Sequence, residues 1–209
     1  MSTYYSLVFT YKRNELTTGP AGFYDALIAA GAEFKGGCFE DSSLPLSEIA
    51  AINSQKLIDN FELGYDEDCS NDYKQAVFAL DGFSGARVFI MNNDTTEGEY
   101  YFNIILSENE VLMNEGFGIR YKKDSIDRLL HLAKSIMKST KALLVQTEPE
   151  LCSETVSYEE FKSTGIINAN PFALTLKESA AADERYYTSL TDGELAVIYD
   201  KKYNLTERT

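Results

Sequence analysis

The residues that could carry catalysis in this 209-residue sequence are few and widely spaced. His131 is the single histidine, and the three cysteines are Cys38, Cys69 and Cys152. A cysteine–histidine pair would give an activated nucleophile, but nothing in the sequence brings a cysteine near His131. A zinc site needs several ligands at short spacing, and the cysteines form no CxxC pair. We therefore predict no catalytic residue, no metal site and no cofactor, with His131 beside Asp127 on a surface helix.

Carboxylates offer a second kind of chemistry, because they bind calcium and, in pairs, hydrolyse glycosides. Asp66, Asp68 and Ser70 match the first alternating ligand positions of an EF-hand loop. Asn71 then stands where that loop requires glycine, and Val77 where it requires a bidentate glutamate. A dedicated calcium loop is thus disfavoured, while a hydrolytic carboxylate pair stays open among the 33 acidic residues.

The most unusual local feature is the acidic segment, residues 59–72, which contains six acids and no base. Glycine, serine and asparagine within it predict a loop. Carboxylates attract lysine and arginine, and a neighbouring tyrosine adds rigid contact area. We predict a partner-binding site made of Tyr65, Asp66, Glu67, Asp68 and Asp72. The alternative is a solvated loop that only aids solubility.

Charge limits the classes of partner. The chain has 33 acidic and 19 basic residues, which gives a net charge of −14. Phosphate backbones and anionic membrane surfaces attract the opposite sign, so nucleic acid and membrane are disfavoured as partners. No apolar run approaches the roughly 20 residues that span a bilayer. The N-terminal residues resemble a strand rather than an export signal, and unpaired cysteines suit a reducing cytoplasm. The oligomeric state stays open.

Hydrophobic periodicity predicts the elements that must position these residues. Strands are expected at 4–11, 75–80, 86–91, 100–106, 142–146, 172–176, 186–190 and 194–199. Helices are expected at 20–30, 47–61 and 124–140, with a helical turn at 158–163. Strands 75–80, 86–91 and 100–106 form an antiparallel meander, and helix 124–140 covers it through Leu129, Leu130, Ala133 and Ile136. We predict one α+β domain over residues 1–209, a mostly antiparallel sheet covered by helices.

The order of these segments resembles the immunity proteins of bacterial polymorphic-toxin systems, especially those paired with restriction-endonuclease-like nuclease toxins. The stretches that carry the resemblance are YYSLVFTYKRNE, LIDNFELGYDEDCSNDYKQAVFALDGFSG, YYFNIILSE, DSIDRLLHLAKSIMKSTKALLVQTE and SLTDGELAVIYDKKYNLTE. This resemblance implies a non-catalytic cytoplasmic inhibitor that binds and neutralises one cognate toxin domain, and it assigns no individual residue. The residues are compatible with that function, because an acidic tyrosine-containing surface suits the basic groove of a nuclease. The alternative is a small hydrolase or transferase with an unrecognised carboxylate or cysteine site.

Overall fold

The computed structural model describes residues 3–13, 18–59, 74–92, 98–113, 119–150, 155–179, 183–190 and 194–203. The strands in these residues are β1 (Tyr4–Lys12), β2 (Glu33–Gly37), β3 (Ala76–Leu80), β4 (Phe83–Asn92), β5 (Glu99–Ser107), β6 (Leu144–Pro149), β7 (Phe172–Leu176), β8 (Tyr186–Leu190) and β9 (Leu195–Asp200). The helices are α1 (Gly19–Ala29), α2 (Leu46–Ile58), α3 (Glu108–Val111), α4 (Lys123–Thr140) and α5 (Tyr158–Thr164).

All nine of these strands belong to one sheet with the order β2-β3-β4-β5-β1-β6-β7-β9-β8. Each neighbouring pair is antiparallel, which confirms the predicted α+β class. The predicted meander is confirmed as β3-β4-β5. The N-terminal strand β1 lies between β5 and β6, so the first strand of the chain pairs with two strands from its later part.

One face of the sheet packs against α1, α2 and α4 to form the main core. Alternating residues of β1 point into it, as period-two patterning predicts, and Phe9 meets Phe23 of α1 edge to face. Phe23 also stacks on Phe102 of β5 with 4.2 Å between ring centroids. This aromatic contact joins α1 to the centre of the sheet.

The other face of the sheet carries a smaller core at the β6-β7-β9 end. There Leu144, Ala173 and Ile198 pack against Tyr158 and Phe161 of α5. The sheet is therefore covered on one face by three helices and on part of the other by α5.

Helix α4 covers the sheet through the predicted residues, which differ in how far they are buried. Leu129, Ala133 and Ile136 are buried, Leu130 packs against the main core but is only half-buried, and Leu132 is buried as well. Leu130 is the least enclosed of the four predicted residues because the apolar arc of α4 is centred on the Leu129–Ala133–Ile136 line. The helix begins at Lys123, one residue before its predicted start, so Asp124 lies in its first turn.

Adjacent residues of a strand face opposite sides of a sheet, and two of the three adjacent tyrosine pairs divide between a core and a more exposed side. Tyr186 packs against the smaller core, while Tyr187 is 51% exposed. Tyr5 is buried while Tyr4 is half-buried. Tyr100 and Tyr101 are both buried. The Tyr101 hydroxyl donates to Glu99, whose carboxylate accepts from the backbone N–H of Tyr158 at the start of α5. The second face of β5 is therefore enclosed at this point.

Candidate partner-binding surface

The predicted partner-binding residues Tyr65, Asp66, Glu67, Asp68 and Asp72 lie outside the described residues, so their role stays a prediction. The structure does describe the chain at both ends of the acidic segment. The segment begins with Asp59, directly after α2, and residue 74 leads from it into β3. The geometry of these two ends decides where on the molecule the acidic segment is attached.

Lys74, two residues after the acidic segment, is held by contacts with the body of the protein. Its backbone N–H donates to Asn53 Oδ1 at 2.7 Å, and its carbonyl accepts from Asn53 Nδ2 at 2.8 Å. Its ammonium Nζ lies 2.9 Å from Asp41 Oδ1, in a pair that is mostly shielded from solvent. Lys74 thus joins the end of the acidic segment to the middle of α2 and to the loop that follows β2.

Asn53 makes this attachment from within the core. Its side chain is fully buried, and Nδ2 also donates to the Tyr24 hydroxyl on α1 at 2.9 Å. Burial raises the pKa of Tyr24 well above its ordinary value, although the hydrogen bond with Asn53 acts in the opposite direction. The sequence contained a signal for this role, because Asn53 is a polar residue within the apolar stripe of a helix. Such a residue needs buried polar partners, and Lys74 and Tyr24 supply them.

The near end of the acidic segment is the C-terminus of α2. Gln55 donates to Asp59 Oδ1 at 2.8 Å, and Arg13 donates to the Leu57 carbonyl at 3.3 Å. Between them Ile58 projects into solvent with 66% of its surface exposed. The last turn of α2 therefore presents a large apolar side chain immediately before the acids.

A second exposed apolar side chain lies beside the far end. Phe39 is 79% exposed, and its neighbour Cys38 donates its backbone N–H to the Gln75 carbonyl at 3.0 Å. Phe39 and Ile58 are the two most exposed large apolar side chains in the part of the chain that the structure describes. They accompany opposite ends of the same acidic segment.

We call this region the acidic corner and define it by Phe39, Glu40, Asp41, Ile58, Asp59 and Lys74. Its residues Phe39, Glu40 and Asp41 follow β2, which is one edge of the sheet. Exposed apolar side chains among carboxylates suit contact with a cationic protein surface, where apolar burial provides affinity and charge accelerates association.

The residues considered for catalysis lie elsewhere or outside the described residues. His131 is exposed and lines a surface cleft of about 410 Å³ with Asp81, Asp127 and Arg128. Asp127, the residue predicted to accompany His131, is ion-paired with Lys123 at 2.6 Å. Cys38 is half-buried at the end of β2, and Cys69 and Cys152 belong to the undescribed positions.

Within the described ranges, no group of three histidine, cysteine, aspartate or glutamate side chains could hold a metal ion. None of the helices described is both long and apolar enough to cross a bilayer.

No protein-family model matches this sequence, and no curated protein matches it at a significant level.

Proposed function

We propose that this chain is a non-catalytic cytoplasmic inhibitor that binds and neutralises a bacterial toxin domain with a basic surface, most simply a nuclease. The observation that carries the proposal is the arrangement at the acidic corner. The two most exposed large apolar side chains of the described residues, Phe39 and Ile58, accompany the two ends of a segment with six acids and no base.

Folding by itself does not account for this arrangement. Like charges that are close in sequence repel one another, and exposed apolar side chains contribute little to the stability of the monomer. A cationic partner would relieve the repulsion and bury Phe39 and Ile58 in the same event. The net charge of −14 would also attract such a partner over distances of about a Debye length.

Tight attachment of the acidic segment supports the same function. Lys74, two residues after the segment, is held by Asn53 and Asp41, so the chain has a defined position where it leaves the segment. A fixed end reduces the conformational entropy that the segment loses when it binds. In this proposal Tyr65, Asp66, Glu67, Asp68 and Asp72 remain the predicted contacts within the segment.

The proposal is tested with the toxin domain encoded beside the gene for this chain. We expect the neighbouring gene to encode a toxin with a basic domain, and co-expression of this chain to restore growth of bacteria that produce it. Purified chain and toxin domain should co-elute as a complex. Absence of a toxic neighbour, or toxicity that this chain does not relieve, would contradict the proposal.

The cleft around His131 is the observation that favours the alternative of an enzyme. A variant with His131→Ala, Cys38→Ser, Cys69→Ser and Cys152→Ser removes every residue able to form a cysteine–histidine site. We expect this variant to fold and to protect cells as the parent does. Loss of protection by the folded variant would favour the enzyme.

A further inference from the structure

The side chain of Phe39 is 79% exposed, and its backbone conformation is unfavourable for its residue type. Its φ is +52°, in the left-handed region that residues with a Cβ rarely occupy. Among the described residues, Lys141 is the only other non-glycine residue with a positive φ. Lys141 caps the C-terminus of α4, where a left-handed residue is common. Phe39 begins a single 3₁₀ turn and has no such role.

The loop around Phe39 imposes this conformation. A Cβ on Gly37 would lie 2.2 Å from the Asp41 carbonyl oxygen, and one on Gly36 would lie 2.7 Å from that of Ser42. The backbone is therefore folded back on itself so closely that only glycine fits at both positions. Hydrogen bonds from Asp41 N–H to the Cys38 carbonyl and from Ser42 N–H to the Phe39 carbonyl close the turn. The backbone at Phe39 is thus held in this conformation before any partner arrives.

We infer that Phe39 is a preorganised apolar anchor that inserts into a pocket of the partner, and that basic residues of the partner line the rim of this pocket. This inference rests on the proposed function and identifies its main contact. A strained backbone and an exposed aromatic ring both work against stability of the free protein, so their combination points to a use in binding.

The charge beside Phe39 indicates which side chains of the partner should line the rim of the pocket. Glu40 directly follows Phe39 and is exposed, whereas Asp41 is already paired with Lys74. A partner that receives the ring must approach the Glu40 carboxylate, and lysine or arginine is the complement that avoids repulsion. A second copy of this chain would bring the same acids against each other, so a basic partner is the occupant that we infer.

The first test uses the protein alone and compares Phe39→Asn with Lys141→Asn. Asparagine tolerates the left-handed region better than phenylalanine or lysine, so each change relieves the backbone at its own site. We expect both variants to raise the thermal unfolding midpoint, by about 2–4 °C for a chain of this size. A clear loss of stability in Phe39→Asn alone would show that the ring supports the fold, and would overturn the inference.

The second test measures dissociation from the toxin domain encoded by the neighbouring gene. Phe39→Asn should dissociate at least tenfold faster than the parent, whereas Lys141→Asn, its matched control, should dissociate at the parental rate. Phe39→Leu keeps an apolar side chain and should recover part of the difference.

These measurements distinguish a failure of the proposed inhibitor function from a failure of the Phe39 anchor alone. If the parent itself fails to bind the toxin domain, the proposed function fails and the inference fails with it. If the parent binds and Phe39→Asn dissociates at the same rate, the inhibitor function stands and the anchor is wrong. A dimer of the parent that is abolished by Phe39→Asn would make a second copy the occupant and overturn the basic partner.

Discussion

Asn53 shows how one residue can connect packing with a binding surface. Its buried amide reaches Tyr24 on α1 and both backbone groups of Lys74. Three hydrogen bonds therefore share one side chain, and two of them hold the point where the acidic segment rejoins the sheet. Its removal would leave polar groups without partners in a largely dry environment, which costs more than the hydrogen bonds contribute on balance.

We predict that Asn53→Ala lowers the free energy of unfolding by about 2–4 kcal/mol, because its buried partners lose their hydrogen bonds. Ser54→Ala is the control, since its hydroxyl donates to the Ala50 carbonyl within α2 and its loss should cost less than about 1 kcal/mol. Urea denaturation of the two variants measures both values. Equal costs for the two changes would contradict the role given to Asn53.

Buried tyrosines make the free energy of unfolding depend on pH in the alkaline range. Burial raises the pKa of Tyr100 to about 12 from its ordinary value of 10.0. The native state therefore keeps this proton in a range where the unfolded chain releases it. The contribution to stability is complete below pH 10 and is lost as pH rises toward about 12.

We predict that the free energy of unfolding of the parent falls between pH 10 and pH 11.5 more steeply than that of Tyr100→Phe. The extra slope approaches about 1.4 kcal/mol per pH unit at most, which is the contribution of one proton. Urea titrations at three pH values in this range measure the slopes. Parallel curves for the two proteins would show that Tyr100 ionises equally in both states.

At the scale of elements, α4 shows how a periodic pattern specifies a helix more securely than it specifies each contact. The pattern predicted the helix to within one residue at its start and to its last residue at Thr140. It did not decide between Leu130 and Leu132, which lie on either side of the buried line. The crossing of α4 over the sheet and its contact with α1 decide that position.

We predict that Leu129→Ala lowers the free energy of unfolding by about 2–5 kcal/mol, because the side chain is fully buried. Leu130→Ala removes the same atoms from the next position of the same helix and should cost less than half as much. The pair is matched in helix propensity, so the difference reports burial alone. A larger loss for Leu130→Ala in thermal or urea unfolding would contradict the packing of α4.

At the scale of the whole molecule, charge and sheet topology act together. Phe39, Glu40 and Asp41 of the acidic corner follow β2 at one edge of the sheet, while β8 forms the other edge. A partner that receives Phe39 would therefore meet one end of the sheet and leave the β8 end uncovered. Charge changes at the two ends can separate local contact from overall attraction.

We predict that Asp66→Lys with Asp68→Lys slows association with the toxin domain about tenfold or more at low salt, and weakens the dependence of the association rate on salt. Glu178→Lys with Glu184→Lys is the control, because it changes the net charge equally from exposed positions near β8. Stopped-flow binding at two ionic strengths measures these rates.

A loss of affinity that comes only from faster dissociation, worth roughly 2–5 kcal/mol, would indicate that the two carboxylates form a central desolvated pair with the partner. Unchanged rates in the folded variant would exclude these two residues from the interface.

The sequence by itself determined the elements whose patterns are local. Period-two and period-3.6 patterns identified eight of the nine described strands, α1, α2, α4 and α5, because burial of one face of an element requires that spacing. Composition also located the acidic segment, since charge is visible residue by residue. The strand β2 was missed because Glu33–Gly37 ends in two glycines, which have low strand propensity.

Only the tertiary structure decided which distant residues meet. β2 forms because β3 offers it a hydrogen-bonding edge. β1 lies between β5 and β6 because both of these later strands pair with it. The features of the acidic corner have the same origin. Asn53 finds Lys74 across 21 residues, and the backbone folds over Gly36 and Gly37 to hold Phe39 in solvent. A sequence pattern reports the surroundings of a residue along the chain, whereas exposure and backbone strain at Phe39 are consequences of contacts that form only when the chain has folded.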